Sequence, residues 1–248
     1  LTPHDKIALV TGGSRGIGRA IAVALAGGCA HTVIINYLEN DAAAAHTSET
    51  VEACGARCEA IKANLLFPSE IDGMFAEIKA NFGKIDILVH CAALGAFKPL
   101  LDIKPNQWDL SFNVNARAFL LCIQKALPLM DGGSIIAISS LGARAYVPNY
   151  GAIGPSKAAL EALIRSLAVE LAPRGIRVNG ISAGFIETDS IKKFPDSEYL
   201  LEKARLRTPM QRLGVPEDLA GIALFLCADA ARWICGQVIV ADGGLSLL

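Results

Sequence analysis

A hydroxyl, a phenol and an amine fall close together in the stretch SSLGARAYVPNYGAIGPSK, residues 139–157. Ser140, Tyr150 and Lys157 are groups that can hold or move a proton. An ammonium beside a phenol favours phenolate and lowers its pKa. Such a pair can give a proton to an oxygen that turns negative during reaction. On an ideal helix the spacing from Tyr150 to Lys157 returns to nearly the same face, about 10.5 Å along the axis. Gly151, Gly154 and Pro155 instead place Tyr150 ahead of the helix, so a loop sets the separation. Tyr146 is a rival phenol, further from Lys157 and off its helical face. Ser140 either lines the pocket or caps the strand end.

The elements that must hold these groups lie on either side. Residues 135–138 are an apolar, β-branched run with the length of a buried strand, and 156–171 carry apolar residues at helical spacing. A strand end followed by a loop and a helix is where open α/β sheets place their sites. The same alternation runs along the chain. Residues 6–10 predict the first strand, TGGSRGIG follows, and a helix begins at Arg19. Gly12, Gly16 and Gly18 let backbone approach a dinucleotide pyrophosphate seated on helix N–H groups. Residues 32–37 predict the second strand. It ends on Asn36 and Tyr37 rather than on the carboxylate that holds a ribose 2′-hydroxyl, which leaves room for a 2′-phosphate. Arg15 either pairs with that phosphate or is a solvated loop cation. This pattern favours NADP over NAD, with Glu39 nearby as the contrary charge.

Further strands are expected over 58–63, 85–89, 175–182 and 237–240, and helices over 42–54, 69–82, 106–127 and 216–227. Asn64 either meets an adenine edge or closes a turn. Ala92 and Ala93 are small enough for a cofactor to pass close to backbone. His90 has no evident partner and reads as structural. Asn113 and Asn115 fall inside a helix, where Asn is unfavourable, so one of them marks a bend or a water site. Residues 190–209 mix charges with Pro195 and Pro209 and read as a mobile helical flap, part of a substrate-covering segment over about 185–210.

The 248 residues fit one α/β domain whose parallel sheet is covered on both faces. With 52% apolar residues the chain can bury a sizeable core, and a net charge of −1 suggests neither a nucleic-acid nor a membrane surface. No apolar run reaches membrane-spanning length, and the N-terminus lacks a secretory pattern. The seven scattered cysteines have no matching Cys or His pair for a metal. They read as buried, reduced thiols of a cytoplasmic protein.

TGGSRGIG, Asn115, Ser140, Lys157 and the closing DGG together resemble the short-chain dehydrogenase/reductase family, over essentially the whole chain. The resemblance implies a single Rossmann-type, doubly wound domain with a seven-stranded parallel sheet, a homotetramer and a nicotinamide cofactor. Its catalytic set is Asn, Ser, Tyr and Lys. One departure matters: the family's Tyr stands four residues before Lys, and that position is Ile153. The Tyr150-to-Lys157 spacing is similar to that of divergent enoyl-acyl-carrier-protein reductases, type III above all. SSLGARAYVPNY, SKAALEAL, FIETDSIKKFPDSEYLLEKAR and DGGLSLL share that similarity, as does Ala183 where Pro is usual before Gly184.

This implies NADPH, with NADH second, and a trans-2-enoyl thioester on acyl carrier protein or coenzyme A, in fatty-acid or related acyl-chain synthesis. On the same resemblance, Tyr150 stabilises the enolate oxygen and Lys157 holds the nicotinamide ribose. Asn115 holds a water in a proton path or bends its helix, and Ser140 assists. Ser14, Ile17, Leu65, Gly184, Ile186 and Thr188 join the cofactor-facing residues. Two rivals stand: a 3-oxoacyl or other carbonyl reductase of the family, and a nucleotide-binding regulatory protein without catalysis.

Overall fold

A computed structural model describes residues 6–193 and 197–248. Its strands are β1 (Lys6–Thr11), β2 (Ala30–Tyr37), β3 (Arg57–Lys62), β4 (Ile87–His90), β5 (Gly133–Ser140), β6 (Ile176–Ala183) and β7 (Val238–Ala241). All neighbours pair parallel, in the order β3-β2-β1-β4-β5-β6-β7. The helices are α1 (Gly16–Gly28), α2 (Asp41–Ala53), α3 (Pro68–Phe82), α4 (Pro105–Phe112), α5 (Ala118–Ala126), α6 (Ile153–Leu171), α7 (Ser197–Arg207) and α8 (Pro216–Cys227).

Residues along a central strand alternate between two cores. In β1, Ile7 and Leu9 pack with α3, α5 and α6, whereas Ala8 and Val10 pack with α1, α2 and α8. Burial on both faces is why these strands read as continuous apolar runs. The chain leaves β1 for β2 on one side and returns to β4 on the other, a reversal that opens a crevice at the carboxyl ends of β1 and β4. Thr11 and His90 pair across the last register position there. The loops that follow β1, β4, β5 and β6 all open onto that edge.

Two differences from the sequence reading have a local reason. The fourth strand starts at Ile87 because Asp86 is spent closing β1: its Oδ2 accepts from Ile7 N at 2.8 Å and its N–H donates to Ile7 O at 2.9 Å. The helix expected over 106–127 is divided by a π-helical turn at Asn113–Arg117. That turn holds both unfavourable asparagines. In the expected flap, a 3-10 turn (Ile191–Lys193) and α7 are helical, and Pro195 lies outside the described residues.

No helix among the described residues is long and apolar enough to cross a membrane. All seven cysteines are free; Cys54 is exposed, contrary to expectation, because it caps the surface end of α2. Burial pushes the Cys122 and Cys227 thiols up to about 12 and that of Cys91 to about 11, so these three are held as protonated thiols.

Candidate active site

Gly12 directly follows β1 with φ 64°. A Cβ on it would stand 2.9 Å from the Ala92 backbone, so glycine lets the loop after β1 lie against the loop after β4. Thr11 locks that contact. Its Oγ1 accepts from the Cys91 and Ala92 amides, both at 3.2 Å, and pairs with His90 Nδ1 at 3.1 Å. His90, read from sequence as partnerless, therefore has a partner in Thr11. Burial, then the Lys157 charge, push its pKa down to about 3, so it is neutral.

The turn after β1 is fastened from outside. Arg19 Nη2 and Thr47 Oγ1 both donate to the Ser14 carbonyl, at 3.0 and 2.8 Å. Ile17 is half-buried and Gly18 is packed against the Gly12 backbone. Arg15 stays exposed at the N-cap of α1. Across the turn, Gly184 N–H donates to Ala241 O at 3.1 Å and Ile186 bridges Gly214. That carries Thr188 over to face Gly16. The first-turn N–H groups of α1 therefore lie in a walled cradle, which fits the pyrophosphate of a dinucleotide.

The adenosine end corrects the sequence reading. Asn36 is buried, and its Nδ2 donates to Ala63 O at 2.9 Å, bracing β2 to the chain leaving β3. Asn64 takes the turn role: its Oδ1 accepts from Leu66 N at 3.0 Å. The Leu65 side chain is buried in the core. Tyr37 stands at the edge and hydrogen-bonds Asp41, which pairs with Lys62 at 3.0 Å. Asp41 and Lys62 escaped the sequence reading, because opposite charges so far apart in the chain give no local signal.

Asn115 is fully buried at the π-helical turn. Its Oδ1 accepts from Leu94 N at 2.9 Å; its Nδ2 donates to Leu94 O at 3.0 Å and to Ser156 Oγ at 2.9 Å. The amide is fully engaged by protein, which supports the bend reading over the water-holding one. It ties the loop carrying Ala92 and Ala93 to α6.

Tyr150 precedes α6, as its glycine and proline neighbours imply. It forms an isolated bridge with Lys98, and its ring stacks on Phe97 with centroids 6.3 Å apart. Gly142 packs against the Tyr150 ring edge so closely that a Cβ there would overlap it. Ser140 Oγ accepts from Gly142 N at 3.2 Å and also hydrogen-bonds the phenol, so it both caps the turn and orients Tyr150. Lys157 is 4% exposed and donates to Ile138 O at 2.7 Å.

The expected lowering of the phenol pKa by Lys157 is not what the structure shows. Burial pushes Tyr150 above its ordinary value, and the Ser140 hydrogen bond only partly opposes it. Burial likewise lowers Lys157 to about 8, and its electrostatic neighbours are Cys91 and His90. Tyr150 is thus a neutral phenol at physiological pH, and Lys157 a poorly solvated ammonium. Tyr146, the rival phenol, is 89% exposed. Ile153 is buried, with its side chain against Gly95.

Phe97 and Gly142 were not evident from sequence, since neither carries a reactive group. Gly142→Ala is expected to push the Tyr150 ring aside. Turnover should fall by about 10-fold to 10²-fold with NADPH affinity unchanged. Steady-state kinetics would show it, and an unchanged rate would separate Gly142 from the phenol's placement.

A family model described as enoyl-(acyl carrier protein) reductase matches residues 12–246. The 1-cyclohexenylcarbonyl-CoA reductase of Streptomyces collinus is 39% identical, over 100% of this chain and 91% of that one. The 3-oxoacyl-[acyl-carrier-protein] reductase of Staphylococcus aureus is 37% identical, over 97% and 98%. Among solved structures, a 7α-hydroxysteroid dehydrogenase complexed with NADH and 7-oxo glycochenodeoxycholic acid superposes with a TM-score of 0.90. It is 34% identical, over 96% of this chain and 93% of that one.

Proposed function

The chain belongs to the short-chain dehydrogenase/reductase family, an oxidoreductase family that uses a nicotinamide cofactor, and from that premise we propose that it reduces trans-2-enoyl thioesters with NADPH. The observation that carries this reading is which residues stand at positions 150 and 153. Ile153 fills the family's phenol position as a packed core residue, while Tyr150 holds the hydroxyl beside Ser140.

When bound, the nicotinamide supplies a hydride to the β-carbon of the conjugated thioester. Negative charge then develops on the thioester oxygen, two bonds further from the hydride acceptor than in a ketone. A phenol displaced along the chain suits that longer reach. Tyr150 donates a hydrogen bond or its proton to the developing enolate oxygen. Ser140 orients that hydroxyl. Lys157 binds the nicotinamide ribose hydroxyls and adds positive charge to the dry end of the site. Asn115 acts by holding the loop at Leu94. A relative that acts on a coenzyme A ester and one that acts on an acyl-carrier-protein ester together support a thioester substrate. The expected assembly is a homotetramer.

The 3-oxoacyl reductase relative keeps carbonyl reduction as the second reading. NADPH oxidation with matched crotonyl and acetoacetyl thioesters separates them. Turnover on the enoyl ester in clear excess is expected, and preference for the β-keto ester would overturn the proposal. Cofactor choice rests on Arg15 and the absence of a carboxylate at the end of β2. Arg15→Ala should raise the KM for NADPH by about 10-fold or more, in line with a lost charge-assisted contact. The KM for NADH should hardly change; equal effects on both would remove the 2′-phosphate contact.

A further inference from the structure

Glu161 stands one helical turn beyond Lys157 on the same face of α6, and it is 4% exposed. A carboxylate so buried needs partners. Its Oε1 accepts from Ser139 Oγ at 2.8 Å and its Oε2 accepts from Arg144 Nε at 2.8 Å. Ser139 is itself 3% exposed, whereas the Arg144 side chain is 47% exposed. Two adjacent turns of one helix thus grip the end of β5: Lys157 at Ile138 O, Glu161 at Ser139.

Arg144 adds the third point. It ends the 3-10 turn Leu141–Ala143 that leads away from Ser140, and it draws that end back onto α6. Between the two anchors lies Gly142, with its amide on Ser140 Oγ and its open face against the Tyr150 ring. Without the clamp the turn keeps its own short bonds, such as the Arg144 and Ala145 amides to Leu141 O, both at 3.0 Å, and the backbone packing of Gly142 on Gly154. These close the turn and seat its middle on α6, but they leave its Arg144 end without a side-chain tie to the helix.

We propose that Glu161, through Ser139 and Arg144, is a positioning residue that sets the 141–144 turn and thereby the Ser140–Tyr150 contact. The inference rests on Tyr150 as the proton donor. Glu161 touches neither the reacting atoms nor the cofactor cradle. Its effect is on where the phenol stands, not on whether NADPH binds.

The test compares Glu161→Gln and Arg144→Met in the wild-type and Tyr150→Phe backgrounds. Glu161→Gln keeps the size and an acceptor for Ser139 but offers Arg144 an uncharged amide. Arg144 is open enough to solvent for its replacement to leave the core intact. In the wild-type background each should lower kcat by about 10-fold to 10²-fold with the KM for NADPH unchanged. Arg144→Lys should recover part of the loss. With Tyr150→Phe, neither should cost further rate, because the group they position is gone. Equal losses in both backgrounds would overturn the inference while leaving the donor assignment standing. If Tyr150→Phe alone leaves turnover unchanged, the donor assignment has failed instead. The clamp is then judged by hydrogen exchange of the NADPH-bound enzyme. Faster exchange at Gly142 and Arg144 in Glu161→Gln supports it, and unchanged exchange overturns it.

Discussion

Tyr150→Phe is expected to cut turnover of an enoyl thioester by about 10²-fold to 10⁴-fold, the range of a lost general acid, with NADPH affinity nearly intact. The substitution is close to a pure deletion of chemistry. Phe keeps the stack on Phe97 and the contact with Gly142, so packing around the turn survives. Ser140 loses one partner but retains the Gly142 amide, so no buried polar group is orphaned. Since burial raises the phenol pKa above its ordinary value, Tyr150 stays protonated through neutral pH. The wild-type rate should therefore show no break near neutral pH that vanishes in the variant. Crotonyl-thioester kinetics across pH measures both features. Retained turnover, or a neutral-pH break abolished by the substitution, would remove Tyr150 from the role of neutral donor.

That role is only half legible in the sequence, and the reason is physical. The spacing of Gly151, Gly154 and Pro155 marked Tyr150 as lying before the helix, and the structure starts α6 at Ile153. The alternation of apolar runs and amphipathic stretches gave the parallel sheet, because a strand buried on both faces has a distinctive composition. Which way a side chain turns is decided by tertiary partners. Asn36 and Leu65 sit where a cofactor-facing residue is expected, yet one braces Ala63 O and the other enters the core. The phenol's electrostatics failed for the same reason. Lys157 is close in sequence, but its amine is directed to Ile138 O, and burial rather than charge dominates at Tyr150. Glu161 did carry a signal: a carboxylate at helical spacing from Lys157 on an otherwise apolar stripe.

Lys157→Met is expected to do two opposite things. It should weaken NADPH binding and slow turnover if, as proposed, the ammonium holds the nicotinamide ribose. It should also make the cofactor-free protein more stable at pH 7. Burial lowers the folded pKa of Lys157 from 10.5 to about 8. Below pH 8 both folded and unfolded chains carry the proton, and the folded chain bears the cost of a poorly solvated charge. That cost is on the order of 3 kcal/mol. Between about pH 8 and 10.5 the unfolded chain binds more protons, so the stability assignable to this group rises with pH across that window. Met removes the charge at similar length. The lost hydrogen bond to Ile138 O offsets about 1 kcal/mol of the gain. At this chain length each net kcal/mol is worth about 2–4 °C in Tm. The variant's advantage should be present at pH 7 and fade toward pH 10.5, where the wild-type amine has already lost its proton. Thermal melts of both proteins at pH 7 and pH 10, with and without NADPH, read all of this. An equal or lower Tm for the variant at pH 7 would mean the charge is already compensated inside the fold, and the lowered pKa of Lys157 would not hold.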